Sequence, residues 1–194
     1  MTQKRKNRAY ECIKPVPKLC AQTVVLCGDQ SDELAMLYGQ IEVIMRRSDI
    51  TVNDKAVIEL SFMGGFRISS ILRLSGKNVK SDGSLYIEQD KGSMSLTYTS
   101  FYCREFWFDV KKYNYRPFEG LSRYYYHRLF VKLGINKRFE GNSKQSVTHV
   151  GRHLKGLSYK NDNLTDRDKA KILGHKNIEN LKYYEKEISA NQER

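Results

Sequence analysis

The stretch Ile172-Leu173-Gly174-His175, with Tyr184 nine residues after the histidine, is the most specific part of this sequence. Just upstream, Thr165-Asp166-Arg167-Asp168 has the pattern of a capping box, and Gly174 would end the short helix that it starts. His175 would then lie in the turn after that helix, while Asn177 could cap the next helix, which carries Tyr184. A single local unit would therefore bring an imidazole and a phenol near one site.

A second informative segment lies at the start of an apolar helix. In Gly65-Phe66-Arg67-Ile68-Ser69, the arginine opens a helix that continues with Ile71, Leu72 and Leu74. An earlier helix over about residues 53–63 would stop at the glycines. Packing of the apolar side chains would hold Arg67 rigidly in one place. An arginine beside glycines can also simply pair with a carboxylate, so this segment alone leaves both roles open.

Two more segments carry candidate polar residues. His149 and Arg152 lie one helical turn apart, so both can face one ligand. Lys91 lies at the predicted tip of a β-hairpin whose strands are Leu85-Tyr86-Ile87 and residues 94–97. Either pattern arises easily by chance in a chain with 34 lysines and arginines, and a lysine in a turn is usually just solvated.

Considered together, these side chains have the chemistry needed to cut a phosphodiester. Two guanidiniums can clamp phosphate oxygens as negative charge develops on them. A lysine and two imidazoles can move protons or donate hydrogen bonds. A phenol can attack phosphorus and hold it covalently. The order and local context of the residues support this interpretation, because each residue type alone is common.

The bulk composition favours a polyanionic partner. The chain has 194 residues, which suits one domain with a sizeable core. Its formal net charge is +12, and lysines and arginines gain affinity by releasing counterions from a nucleic-acid backbone. An anionic membrane surface is the competing explanation. No apolar run is long enough for a transmembrane helix, and the basic N-terminus lacks the apolar run of a signal peptide.

The cysteines predict no metal site. They lack C-x-x-C spacing and lie far from the histidines in sequence, so zinc binding is not expected. Reduced thiols in a cytosol-like compartment are the preferred interpretation. The four cysteines are Cys12, Cys20, Cys27 and Cys103.

These segments resemble the catalytic domain of tyrosine recombinases, the phage-integrase superfamily. The resemblance covers roughly residues 30–188 and leaves a basic N-terminal arm at 1–29 and a C-terminal tail at 189–194. It implies an α+β fold that is mostly helical with a small antiparallel β-sheet. The matching segments are Gly65-Phe66-Arg67-Ile68-Ser69 with Ile71-Leu72-Arg73-Leu74, Gln89-Asp90-Lys91-Gly92, His149-x-x-Arg152-His153, and Leu173-Gly174-His175 with Tyr184.

The resemblance implies a site-specific recombinase or integrase that cuts and rejoins duplex DNA without a metal, ATP or other cofactor. Tyr184 would be the nucleophile that forms a 3′-phosphotyrosyl bond. Arg67 and Arg152 would stabilise the charged phosphorane. Because the phosphotyrosine keeps the energy of the broken bond, a 5′-hydroxyl from another strand can reverse the step.

The remaining three candidates would handle protons and the phosphate. Lys91 would protonate the departing 5′ oxygen, and His149 would assist proton transfer at the tyrosine. His175 would hydrogen-bond the phosphate. The implied partners are double-stranded DNA and further copies of the chain, with no membrane, in the cytoplasm at the nucleoid or wherever the DNA target lies.

Tyr183 competes with Tyr184 for the role of nucleophile. A shift of one residue turns a helical side chain by about 100°, so only one of the two can face the phosphate. The spacing from His175 favours Tyr184 and leaves Tyr183 as a packing residue.

Basic residues interleaved with aromatic residues form a further set of candidate DNA contacts. In single-strand binders such aromatic rings stack on bases. Here the favoured interpretation is half-buried or core tyrosines, with charges that meet duplex phosphates. The N-terminal arm could touch phosphates or be a solvated tail, and Trp107 and Phe108 are expected in the core. The candidate contacts are Lys4, Arg5, Lys6, Lys111, Lys112, Arg123 and Arg128.

Two departures from the family keep alternatives open. Many members carry an acid three residues after the first arginine, where this chain has Ser70. Typical members also add an N-terminal helical domain that closes a clamp around DNA, and the residues before Ser31 are too few to build it. We expect a minimal recombinase, a fragment, or a member that borrows its clamp. The alternatives are a catalytically weakened DNA-binding accessory protein of the same fold and a type IB topoisomerase-like relaxase.

Overall fold

The computed structural model describes residues 29–88, 95–135, 151–152, 155–156, 164–173, 175 and 177–181. Within these residues the fold is mostly helical with one two-stranded antiparallel sheet, which confirms the predicted fold class. The elements in chain order are α1 Asp29–Arg46, α2 Val52–Ile58, a π-helical segment Glu59–Met63, α3 Ile68–Leu72, a 3₁₀ turn Gly76–Asn78, β1 Ser84–Ile87, β2 Leu96–Thr99, α4 Arg104–Tyr113, α5 Arg123–Lys132, α6 Asp166–Ile172 and a 3₁₀ turn Ile178–Leu181.

Helix α2 and the π-helical segment form the buried centre of the described fold. Thr51 caps α2, because its Oγ1 accepts a hydrogen bond from the Asp54 backbone N–H at 3.1 Å and donates one to the Asp54 carboxylate at 2.8 Å. The chain leaves the π-helical segment through Gly65, whose φ of 68° favours glycine. The predicted helix over about residues 53–63 and its glycine stop are confirmed. The buried apolar residues of α2 and the π-helical segment are Ala56, Val57, Ile58, Leu60 and Phe62.

Helix α3 begins directly after Arg67, which is its N-cap residue in an extended conformation. The carbonyl of Arg67 accepts hydrogen bonds from the backbone N–H groups of Ser70 at 3.0 Å and Ile71 at 3.1 Å. Ile68 and Ile71 are buried in the core, as is Leu74 just beyond the helix. The predicted short apolar helix that opens at Arg67 is confirmed.

The β-hairpin pairs Leu85 with Tyr98 and Ile87 with Leu96. The return strand covers residues 96–99, so the prediction of 94–97 was wrong by two residues. The register is set by inward side chains, because the Tyr98 ring packs edge-on against Phe66 at 5.5 Å between centroids while Leu85 is fully buried. Residues 89–94, which include the predicted tip, lie outside the described residues.

Helices α4 and α5 complete the main core. Trp107 is fully buried, with its ring edge-to-face with Phe106 at 5.0 Å and with Phe118 at 6.0 Å. The expectation that Phe108 is also core was wrong, since its side chain is 38% exposed beneath the guanidinium of Arg104. Neighbouring positions on a helix point about 100° apart, so Trp107 and Phe108 cannot both face inward.

The tyrosines of these helices divide into buried and exposed rings. Tyr126 is fully buried and Tyr125 is half-buried, as expected for core or semi-buried rings. Tyr113 and Tyr124 are 64% and 66% exposed, so the expectation was wrong for these two rings. Each exposed ring instead lies beneath a cation, Lys112 in the first case and Arg128 in the second.

Helix α6 and the following 3₁₀ turn form a separate apolar cluster of Ala170, Leu173 and Leu181. Thr165 caps α6, because its Oγ1 accepts from the Asp168 backbone N–H at 3.2 Å and donates to the Asp168 carboxylate at 2.6 Å. Asn177 caps the turn by accepting a hydrogen bond from the Glu179 N–H at 3.0 Å. Both capping residues were predicted correctly, while the predicted continuation of the second helix to Tyr184 lies outside the described residues.

Two absences apply to the part of the chain that the structure describes. No helix there is both long enough and apolar enough to span a bilayer. No group of three or more histidine, cysteine or acidic side chains there is placed to hold a metal ion. The thiol of Cys103 is buried, and the other three cysteines lie outside the described residues.

Candidate active site

The backbone of Gly151 lies directly against the π-helical segment. A Cβ built at this position would collide with the Ser61 carbonyl and come within 2.8 Å of the Phe62 Cα. Only a residue without a side chain permits so close an approach. This contact places the next residue, Arg152, beside the loop of residues 64–67 that leads into α3.

Arg152 is buried, with 4% of its surface exposed, and its guanidinium joins two distant loops. Nη1 donates a hydrogen bond to the Gly65 carbonyl at 3.2 Å, and Nη2 donates to the Leu173 carbonyl at 2.5 Å. Leu173 follows the last residue of α6, where carbonyl groups lack helical partners and the negative end of the helix dipole favours a cation. The guanidinium is therefore held in one orientation by main-chain atoms.

His175 lies beside this guanidinium. Its backbone N–H donates to the Ala170 carbonyl at 2.7 Å, which fixes the turn after α6. Its Nε2 lies 3.2 Å from Nη2 of Arg152. Because a guanidinium offers only donors, Nε2 is the acceptor in this pair and Nδ1 carries the hydrogen of the neutral ring. The neutral ring is therefore a hydrogen-bond donor through Nδ1.

Arg67 completes the group, since its charge acts on the same imidazole. Burial, and then the charges of Arg152 and Arg67, lower the pKa of His175 from 6.5 to about 4. The ring is therefore neutral at pH 7. The structure thus brings together three of the predicted site residues, two guanidiniums and one neutral imidazole, which together can accommodate a phosphate.

The other three predicted catalytic residues, Lys91, His149 and Tyr184, lie outside the described residues. The competing tyrosine, Tyr183, does so as well. Their roles stay predictions. The N-terminal candidates for DNA contact, Lys4, Arg5 and Lys6, are likewise outside the described residues.

The four described candidates for DNA contact lie on α4 and α5. Arg123 and Arg128 are exposed on α5, and the guanidinium of Arg128 lies 5.0 Å from the centroid of the Tyr124 ring. Lys112 is exposed on α4. The ammonium of Lys111 instead donates to the Val79 carbonyl at 3.0 Å, so this residue also ties α4 to the chain before β1. Contact of these four residues with DNA stays a prediction.

Ser70 occupies the position where the family often has an acid. Its side chain is 2% exposed, and its Oγ has no hydrogen-bond partner among the described residues. A short hydroxyl cannot supply the charge or the reach of a carboxylate. This position therefore lacks the negative charge that the resemblance to the family implies.

Sequence reasoning missed Glu59. This carboxylate is fully buried in the π-helical segment and accepts hydrogen bonds from the loop after β2. The available signal was a single acid inside the apolar run Ala56-Val57-Ile58-Glu59-Leu60, since a buried charge needs partners. Nothing in the sequence indicated which partners those are.

Comparison with known proteins identifies the fold. No protein-family model and no curated protein matches this sequence. The XerH site-specific recombinase, solved with a palindromic difH substrate in a post-cleavage complex, superposes with a TM-score of 0.56 at 17% identity, over 79% of this chain and 47% of that chain. XerA recombinase gives a TM-score of 0.53 at 18% identity, over 88% of this chain and 61% of that chain.

A third structure, a dimer of lambda integrase (75–356) bound to a COC′ core site, gives a TM-score of 0.51 at 19% identity. The match covers 77% of this chain and 57% of that chain. The chain therefore spans only about half to three-fifths of the length of these proteins. It has the fold of a tyrosine-recombinase catalytic domain, which confirms the fold that the sequence motifs predicted.

Proposed function

We propose that this chain is a site-specific DNA recombinase or integrase that breaks and rejoins duplex DNA through a phosphotyrosyl bond at Tyr184. The observation that carries the proposal is the meeting of Arg67, Arg152 and His175 on this fold. The sequence motifs alone predict these three residues as members of one site.

The two arginines would stabilise the transition state. Nucleophilic attack on a phosphodiester builds negative charge on the non-bridging oxygens, and fixed cations cost no reorganisation at that moment. Arg152 is fixed by the carbonyls of Gly65 and Leu173, and the N–H of neutral His175 would add a hydrogen bond. Loss of one such group typically costs about 10²–10³ in rate.

The bond-making step would exchange one phosphate ester for another. The oxygen of Tyr184 would attack phosphorus and lose its proton with help from His149. The bond between phosphorus and the 5′ oxygen would break, and Lys91 would protonate that oxygen. A free 5′-hydroxyl could later attack the phosphotyrosine and reverse these changes, so the step consumes no ATP.

Duplex DNA and further copies of the chain are the proposed partners. The net charge of +12 favours a polyanion. XerH and lambda integrase were both solved on DNA, and the latter as a dimer. The protein would act wherever its DNA target lies, which we expect to be the cytoplasm.

Trapping the covalent intermediate tests the proposal without knowledge of the target site. A library of duplexes with randomised sequence would carry a nick placed so that cleavage releases a short 5′-hydroxyl fragment, which diffuses away. We expect the wild-type protein to retain DNA through strong denaturation, and sequencing of that DNA would define the site. Tyr184→Phe should retain none.

Tyr183→Phe is the matched control, because it removes a neighbouring phenol and should still form the adduct. Adduct formation that depends on Tyr183 and survives in Tyr184→Phe would move the nucleophile by one residue. Absence of any adduct with the wild-type protein would refute the proposed activity.

Ser70 favours one alternative, a catalytically weakened DNA-binding accessory protein of the same fold. A buried hydroxyl replaces the acid that many family members carry at this position. Sequence-selective binding of duplex DNA, without an adduct and unchanged in Tyr184→Phe, would support this alternative.

A further inference from the structure

Glu59 is the acceptor of a dense set of hydrogen bonds in the core. Its Oε1 accepts from the backbone N–H of Phe101 at 2.5 Å and of Tyr102 at 3.2 Å, and from the Tyr98 hydroxyl at 3.4 Å. Its Oε2 accepts from the Ser100 hydroxyl at 2.8 Å and the Cys103 N–H at 3.1 Å. The side chain is fully buried, so these donors replace water around the carboxylate.

The carboxylate holds the residues that lead into α4. The N-cap residue of α4 is Cys103, and its side chain makes no capping hydrogen bond. Glu59 accepts from the three successive backbone N–H groups that immediately precede the first residue of this helix, near the end where the helix dipole favours negative charge. The loop from β2 into α4 is thereby fastened to the π-helical segment.

The same π-helical segment contacts the backbone directly before each of the two arginines. Its Leu60 carbonyl accepts from the Phe66 N–H at 3.1 Å, which fixes the residue before Arg67. Its Ser61 and Phe62 backbone contacts Gly151, the residue before Arg152. A change in the hydrogen bonds of Glu59 would therefore displace the π-helical segment and, with it, the backbone next to both arginines.

A second contact ties β2 to the residue before Arg67. The Tyr98 hydroxyl bonds Glu59, while its ring packs edge-on against Phe66 at 5.5 Å. Tyr98 therefore attaches β2 both to Glu59 in the π-helical segment and to Phe66, the residue before Arg67.

We propose that Glu59 is a positioning residue for the two-arginine site, acting through the π-helical segment to hold Arg67 and Arg152 at the spacing that a phosphate requires. This inference rests on the proposed function. Misplacement by about 1 Å of groups that bind a transition state can cost about 10² in rate.

The variant Glu59→Gln tests this with two forms of the DNA site recovered by covalent trapping. The amide keeps the shape of the side chain but puts an N–H₂ group against donors that need an acceptor. One duplex has the natural scissile phosphodiester. The other has a methylphosphonate there, in which a methyl group replaces one non-bridging oxygen and removes the negative charge that the arginines stabilise.

We expect Glu59→Gln to cleave the phosphodiester about 10²-fold more slowly than wild type, with unchanged affinity for DNA. On the uncharged methylphosphonate its rate should be close to that of wild type, because placement of the arginines matters less there. An equal loss on both duplexes, or no loss on either, would overturn the positioning role and leave the recombinase proposal standing. If the wild-type protein forms no adduct on any DNA, both proposals fail.

Asp54→Asn is the matched control for loss of a buried carboxylate. Asp54 is 5% exposed and accepts hydrogen bonds from Thr51 and from the Tyr125 hydroxyl at 3.2 Å, so it ties α2 to α5. Its loss should lower stability without changing the ratio of the two cleavage rates.

Two milder variants keep the test decisive if Glu59→Gln does not fold. Ser100→Ala and Tyr98→Phe each remove one donor to Glu59 while they leave the carboxylate in place. Each should slow cleavage of the phosphodiester by a smaller factor and spare the methylphosphonate. A uniform effect on both duplexes in both variants would again overturn the inference.

Discussion

Burial, and then the charges of the two arginines that would bind phosphate, lower the pKa of His175 and keep its imidazole neutral. Only 9% of the side chain is exposed, and both nearby charges are positive, so protonation of the ring would add a third cation to a crowded site. The neutral form also leaves Nε2 as an acceptor for Arg152. Acid should therefore weaken the contact between the turn after α6 and Arg152.

This predicts a specific dependence of stability on pH. Because the folded-state pKa of His175, about 4, lies below the ordinary 6.5, the unfolded chain binds the proton more tightly. The stabilisation is complete above pH 6.5 and is lost as pH falls towards 4, with a slope of up to about 1.4 kcal/mol per pH unit. Urea unfolding of wild type and His175→Gln across this window would show it as a difference between the two curves.

Glutamine at position 175 can still accept a hydrogen bond from Arg152 but does not titrate. Acidic groups common to both proteins cancel in the comparison. Parallel curves for the two proteins between pH 4 and 6.5 would contradict the neutral, buried histidine.

At the level of secondary-structure elements, the approach of residues 151–152 to the π-helical segment determines where Arg152 lies. The two backbones touch without an intervening side chain at Gly151. A methyl group there has nowhere to go, because its neighbours are main-chain atoms of the core rather than the end of a flexible side chain. The contact is therefore a rigid joint between two elements.

Gly151→Ala should disrupt the close backbone contact between Gly151 and the π-helical segment. We expect it to lower the free energy of unfolding by about 2 kcal/mol or more, since overpacking of a core commonly costs about 1–3 kcal/mol. Gly39→Ala is the control: Gly39 lies in α1 with nothing within 4 Å of an added Cβ, so alanine should stabilise the helix by up to about 1 kcal/mol. Chemical denaturation measures both, and similar effects of the two substitutions would refute the close contact.

The structural features that could be predicted from the sequence are those determined by residues close to them in the chain. The Thr165 cap and the glycine stop before Arg67 were predicted correctly, because caps and stops act within about four residues. The position of the return strand was wrong by two residues, because Tyr98 is placed by Phe66 across the fold. Glu59 was missed because its partners lie 39 to 44 residues away in sequence.

The same limit applies to the site. Arg67, Arg152 and His175 were predicted as one group from recognisable motifs, and the structure brings them together. The main-chain acceptors that hold Arg152, the carbonyls of Gly65 and Leu173, carry no residue-specific signal in the sequence. Every residue has a carbonyl, so only the fold selects these two.

For the whole molecule, the net charge of +12 predicts an affinity for duplex DNA that falls steeply with salt. Substitution of a cation that meets a phosphate should reduce the slope of log affinity against log salt concentration by about 1. Arg128 on α5 is such a candidate, because its guanidinium lies over the exposed Tyr124 ring. We expect Arg128→Ala to reduce this salt slope by about 1, as measured by fluorescence anisotropy titrations at several salt concentrations.

Arg47→Ala is the matched control, since it removes the same charge from a different surface. Arg47 already pairs with Asp49 at 2.6 Å, so its removal should change the salt slope little. Equal reductions in the two variants would mean that overall charge, rather than the exposed face of α5, determines binding.

The position of Trp107 has a practical consequence for all of these measurements. It is the single tryptophan of the chain, and it is sealed from solvent between Phe106 and Phe118. Its emission should be blue-shifted in the native protein and move to longer wavelengths when water reaches the indole. Because no ligand on the surface can touch it, this intrinsic chromophore reports the integrity of the interior separately from occupancy by DNA.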